Sequence, residues 1–126
     1  NKKVEFKGWV NNSTKYLKSS KIFVLSSIYE GLGNVLIDAI NFNVPCISTD
    51  CHSGPKEILL NGKAGIFFKM DDYKDLSRKI IYVYENKKKL KKIVKVGYDN
   101  LYRFDKDKNL NKYYQTVVRF LENEKN

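Results

Sequence analysis

Histidine, proline and cysteine are scarce in this sequence, and no apolar run is long. One histidine, two prolines and two cysteines occur among 126 residues. Two cysteines, Cys46 and Cys51, are too few for a disulfide framework and fit a reducing, cytoplasmic compartment. Together with His52 they give three potential metal ligands with no second pair, against the spacing that structural zinc needs. No metal is expected. No stretch approaches the roughly 18 apolar residues that span a bilayer. Without a Gly/Ser/Pro-rich tract or a repeat, the chain reads as one domain over residues 1–126. It opens NKKVEF, with neither an initiator Met nor a signal-peptide pattern, and is read as a piece of a longer protein.

What is present points to a packed, basic domain. A hydrophobic share of 42% is enough for a core and argues against disorder. A net charge of +10 calls for an anionic partner: phosphate, nucleic acid or membrane. Lysines crowd positions 87–95. On a helix that turns Leu90, Ile93, Val94 and Gly97 inward, they form the outer face. That face is either simply solvated or a peripheral contact, Lys87 to Lys95, with the inner face of an anionic cell membrane.

Short apolar runs alternate with helical patterns. Strands are expected at Val4–Val10, Lys21–Ser26, Cys46–Thr49 and Gly65–Phe68, and helices at Ser13–Ser20, Asn34–Asn43 and Lys56–Leu60. From Leu76 onward the spacing is helical only. The pattern predicts an α/β fold: a Rossmann-like parallel sheet of about four strands with flanking helices and a helical C-terminal segment. Ligands of such sheets bind outside the carboxyl ends of the strands.

One of those ends carries chemistry. SSIYEGLGN runs from a strand directly into a helix, with Gly31 and Gly33 permitting close backbone approach. Free amides and the positive end of the helix dipole would face the cleft and suit a phosphate. Glu30 fits hydrogen bonds from hydroxyls better than contact with phosphate. Asp38, one turn beyond Asn34, shares a polar helix face with it. A sugar linked through a diphosphate to a ribonucleoside has that distribution of groups. A Gly-rich connection with a helix-capping acid would look the same, so the motif alone leaves both readings open.

The runs IFVLSSIYEGLGNVLIDA and VPCISTDCHSGPKEIL resemble the retaining glycosyltransferases of family 4. That family has two acids separated by seven residues, opening on Glu-Gly, then a strand and a Ser-Gly-Pro or Gly-Gly turn leading to another glutamate. Here these are Glu30, Asp38, Ser53-Gly54-Pro55 and Glu57. The resemblance implies the C-terminal, nucleotide-sugar-binding domain of a GT-B glycosyltransferase, and places Glu30 as the catalytic residue at the transferred sugar. Gly31, Leu32, Gly33 and Asn34 would approach sugar and diphosphate, and Asp38 the ribose. Trp9 and Val10 would lie near the base, with His52, Ser53, Gly54 and Glu57 completing the donor site. The family more often has Glu at the position of Asp38. It also implies retention without a bound metal or other cofactor, and a glycan or lipid-linked acceptor held by a domain absent here. The family's diphosphate-binding Arg and Lys would precede Asn1, so this chain alone is expected to be inactive.

Other signals read more plainly. Asp105-Lys106-Asp107 spells the D-x-D of metal-dependent transferases but stands before a helix, which favours a turn or cap. Asp71-Asp72 reads as a helix entry. Tyr98, Tyr102, Phe104, Tyr113 and Tyr114 have helical spacing, which favours core packing over stacking on nucleic acid; no nucleic-acid partner is expected. If the sheet is doubly wound, Val4–Val10 lacks its native neighbours. It would then pair with Ile22–Ser26 or leave an edge open to a second copy, giving a homodimer. The rival from another class is a non-catalytic basic module for nucleic acid or membrane.

Overall fold

The computed structural model describes residues 3–123. The elements are α1 (Thr14–Ser19), β1 (Phe23–Leu25), α2 (Asn34–Asn41), β2 (Cys46–Thr49), α3 (Pro55–Ile58), β3 (Ile66–Phe68), α4 (Tyr73–Glu85), α5 (Lys87–Asp99) and α6 (Lys106–Asn123). Short 3-10 turns cover Leu60–Gly62 and Leu101–Phe104.

The three strands form one parallel sheet in the order β1-β2-β3. Val24 faces Ile47, and Ile47 faces Ile66. Strand alternation sends side chains to two cores. Phe23, Leu25, Cys46 and Phe67 join Leu17, Leu36, Ile40, Ile58 and Leu59 beneath α1, α2 and α3. Val24, Ile47, Ile66 and Phe68 join Leu76, Val83, Leu90 and Ile93 beneath α4 and α5. Both faces are covered, as parallel sheets require, which fits the apolar runs of β1 and β3, while β2 buries Ser48 and Thr49 as well. Leu36, Ile40, Ile47, Ile58 and Leu59 are fully buried, each stabilising the fold by roughly 1.5–3 kcal/mol.

The sheet has three strands and not four. Residues 4–10 form no strand, and Val4, Phe6 and Trp9 are exposed. Gly8 takes a left-handed φ of 58°, which breaks an extended run. Alternation marks a candidate strand, but a strand exists only with a neighbour to bond. Among the described residues nothing pairs with the outer edge of β1, so the expected pairing of Val4–Val10 with Ile22–Ser26 does not occur.

The helices follow their local signals. Asn12 accepts the Thr14 amide at the head of α1 (2.9 Å). Asp72 caps α4 by accepting the Asp75 amide (2.8 Å). The Lys69 amide donates to the Asp75 carboxylate (3.0 Å) and holds its pKa below the usual range. Asp105 accepts the Lys108 amide (2.9 Å), so the D-x-D sequence is a helix cap. Gly97 is buried where α5 meets α2: a β-carbon there would lie 3.1 Å from Ile40 Cγ2.

The C-terminal aromatics depart from expectation. Tyr98, Tyr102, Tyr113 and Tyr114 are exposed, and α6 contains no buried residue. Its apolar stripe of Leu110, Tyr113, Tyr114, Val117 and Leu121 is real, but none of the described residues covers it. Phe104 alone of the five packs against the core.

Candidate functional site

Adjacent parallel strands bring two loops side by side at their carboxyl ends. The first runs from Ser26 to Gly33 between β1 and α2, and the second from Asp50 to Gly54 between β2 and α3. They are laced together. Thr49 Oγ1 donates to the Ser27 carbonyl, and Ser53 Oγ donates to the Glu30 carbonyl. Ser27 Oγ donates to Glu30 Oε1 (2.6 Å). Glu30 is therefore half-buried and held at both its backbone and its carboxylate.

The two glycines of the first loop serve different ends. Gly33 precedes α2 with φ 81°, a conformation that favours glycine. Gly31 has no such requirement, and a β-carbon there would meet nothing within 4 Å. Beyond Gly33 the loop enters α2 at the positive end of the helix dipole, where the Leu36 amide donates to the Gly33 carbonyl (2.8 Å). Asn34 and Asp38 are exposed on α2.

Gly54 is different again. It is buried with φ 36°, and a β-carbon on it would overlap the carbonyl oxygens of Leu32 and Gly31. The second loop thus presses its backbone directly against the first. His52 and Glu57 are exposed on either side of this contact. The Glu57 carbonyl accepts from Arg103 Nη2 (3.2 Å), which ties the C-terminal turn to α3. Lys56 is paired with Asp50 (3.0 Å).

The structure accordingly gathers Glu30, Gly31, Leu32, Ser53 and Gly54 in one contact, with Gly33, Asn34 and Asp38 following on α2. It does not bring Trp9 into that network. Trp9 is 92% exposed and donates to Asn11 Oδ1 (3.3 Å), while Val10 is half-buried. The hydrogen bonds of Ser27, Thr49 and Arg103 are not legible in the sequence, because lone hydroxyls and a single Arg carry no distinctive spacing.

Cys46 and Cys51 are both buried and free. Burial pushes the Cys46 thiol up to about 12. A groove of about 590 Å³ lies away from the loops, at the amino ends of β1 and β2. Ile22, Val83, Leu90 and Val94 line it, and Lys21, Lys87, Lys91 and Lys95 rim it. It offers no carboxylate to receive hydroxyls, whereas the laced loops present Glu30.

Known proteins share this fold and sequence. The family model "Glycosyl transferases group 1" matches residues 1–100. An uncharacterized glycosyltransferase of Methanocaldococcus jannaschii is 39% identical over 120 residues, covering 85% of this chain and 28% of that protein. A Campylobacter jejuni alpha-1,4-N-acetyl-D-galactosaminyltransferase, whose name specifies a PP-undecaprenol-linked acceptor, is 32% identical over 92 residues, covering 73% of this chain and 26% of that one. This chain therefore spans under a third of the length of either relative. The crystal structure of HepE from Anabaena, in complex with UDP, superposes with a TM-score of 0.76 at 18% identity, over 83% of this chain and 29% of that one. That likeness concerns the fold, which is shared with GT-B neighbours. The family match covers most of the chain, and the chain belongs to the group 1 glycosyl transferases.

Proposed function

We propose that this chain is part of the donor-binding half of a retaining glycosyltransferase, taking a nucleotide-sugar, UDP-linked, at the two laced loops. The observation that carries this reading is Glu30, held at its carboxylate and carbonyl in the loop that leads into the amino end of α2. A carboxylate held by Ser27 presents hydrogen-bond acceptors to sugar hydroxyls. The helix end receives the diphosphate through backbone amides. Gly31 supports the same reading, since nothing in the chain's own packing demands a glycine there. A ligand approaching the backbone closely does.

In this reading Glu30 contacts the transferred sugar, and Gly31 to Asn34 contact sugar and diphosphate. Asp38 reaches toward the ribose. His52, Ser53, Gly54 and Glu57 border the sugar from the second loop, and Trp9 and Val10 contribute near the base when donor is bound. Transfer proceeds with retention, and amides and cations take the place of a metal in stabilising the leaving diphosphate. The cations and the acceptor site come from outside this chain. The Campylobacter relative's name supports a lipid-linked glycan acceptor. Such an acceptor would bring the exposed lysines between 87 and 95 to the cytoplasmic face of an anionic membrane. A homodimer through the bare edge of β1 also belongs to this reading.

Thermal denaturation with added ligand tests it. UDP at a hundredfold excess over its Kd adds about 2.7 kcal/mol of stability, so the melting temperature should rise by several degrees. No shift with UDP or UDP-sugars, together with steeply salt-dependent binding to RNA, would instead identify a basic nucleic-acid module.

A further inference from the structure

We propose that Ser27 is the positioning residue for Glu30, and that Thr49 and Ser53 make this positioning depend on the second loop. The inference rests on the donor-site reading above and deepens it.

A glutamate at a loop tip has three side-chain torsions to fix before it can meet a sugar hydroxyl. Fixing them on binding would reduce affinity through lost rotamer freedom. Here the restraint is already in place. The Ser27 hydroxyl donates to Oε1 at 2.6 Å, a length typical of a charge-assisted O–H···O bond. One carboxylate oxygen is thereby anchored and the other is left to accept from a ligand. The anchor is itself fixed, because Thr49, the last residue of β2, donates to the Ser27 carbonyl. Thr49 is 2% exposed, so the donor of that part-buried bond is held within the core. On the far side, Ser53 donates to the Glu30 carbonyl and fixes the backbone from which the side chain departs. The acid is thus held by three hydroxyls, two of which belong to the second loop or the strand leading into it.

None of these hydroxyls is assigned contact with the diphosphate or nucleoside. Removing the Ser27 hydroxyl should therefore weaken recognition of the sugar and spare that of UDP. The appropriate readout is the ratio of the Kd for a UDP-sugar to the Kd for UDP, each from a heteronuclear NMR titration of the whole chain. UDP-glucose, UDP-galactose and UDP-N-acetylglucosamine serve as probes, and the tightest of them is carried into the variants.

Ser27→Ala should raise that ratio on the order of tenfold, the scale of one missing hydrogen bond to a charged group. Ser27→Thr, which keeps the hydroxyl, should restore it. An unchanged ratio in Ser27→Ala overturns the proposal, as does an equal rise in both dissociation constants, which would mark a merely loosened loop. If the unaltered chain binds neither UDP nor any of the three sugars, the donor-site reading itself fails and this inference falls with it.

Discussion

Replacing Glu30 by alanine in the intact enzyme should lower kcat/KM for sugar transfer at least tenfold while leaving the melting temperature nearly unchanged. The expectation follows from where the side chain sits. Glu30 is half-buried, its carboxylate bonds to the Ser27 hydroxyl, and it contributes nothing to either apolar core. Its removal therefore costs the fold little. A hydrogen bond to a charged group is worth about 1.5–3 kcal/mol, and each factor of ten in rate corresponds to about 1.4 kcal/mol. Removing one such hydrogen bond from the transition state slows transfer roughly ten- to hundredfold. Glu30→Gln separates shape from charge: it retains an acceptor for Ser27 but no carboxylate. Steady-state kinetics of both variants is the check, and near-normal values for Glu30→Ala would remove Glu30 from the reacting centre.

Gly54→Ala should act on the fold and the site together. Two effects add at this position. The residue has φ 36°, where an L side chain is strained, and the new methyl would overlap the Leu32 and Gly31 carbonyl oxygens. Both obstacles are backbone, so no rotamer change relieves them and the loops must part. Strain and overpacking each cost about 1–3 kcal/mol. The melting temperature should fall by roughly 10 °C. The Ser53-to-Glu30 bond, which spans the same gap, should break as well, and donor affinity with it. Calorimetric melting curves beside the unaltered chain decide the matter. A melting temperature within a degree of the original would mean that the two loops do not meet as described.

The readable parts of the fold were those set by local chemistry. Lys21–Ser26, Cys46–Thr49 and Gly65–Phe68 contain β1, β2 and β3 because a strand buried on both faces leaves a short, mainly apolar run, with Ser48 and Thr49 as the polar exceptions in β2. Asp72 and Asp105 announced their helices as caps. What failed depended on a partner. Val4–Val10 alternates like a strand, but alternation supplies no neighbour, and Gly8 turns the chain aside. The stripe on α6 gave the right face without saying what covers it.

The site divides along the same line. That the Glu-Gly-x-Gly loop lies between a strand and a helix is legible from residue type and spacing. The lacing was not, because Ser27, Thr49 and Ser53 bond across 22 or 23 residues of chain or to a near neighbour only, and hydroxyl residues abound. Gly54 was legible as part of a Ser-Gly-Pro turn. That its glycine is demanded by the first loop emerges only when both loops are in place.

The most direct test of the donor site is a heteronuclear NMR titration of this 126-residue chain with UDP and then with a UDP-sugar. If the laced loops hold the donor, amide shifts will concentrate at Glu30 to Asn34 and at His52 to Glu57, with the Glu30 and Ser53 signals responding further when the sugar is present. Shifts confined to the lysine-rimmed groove around Lys87 to Lys95, or none in either loop, would contradict that assignment.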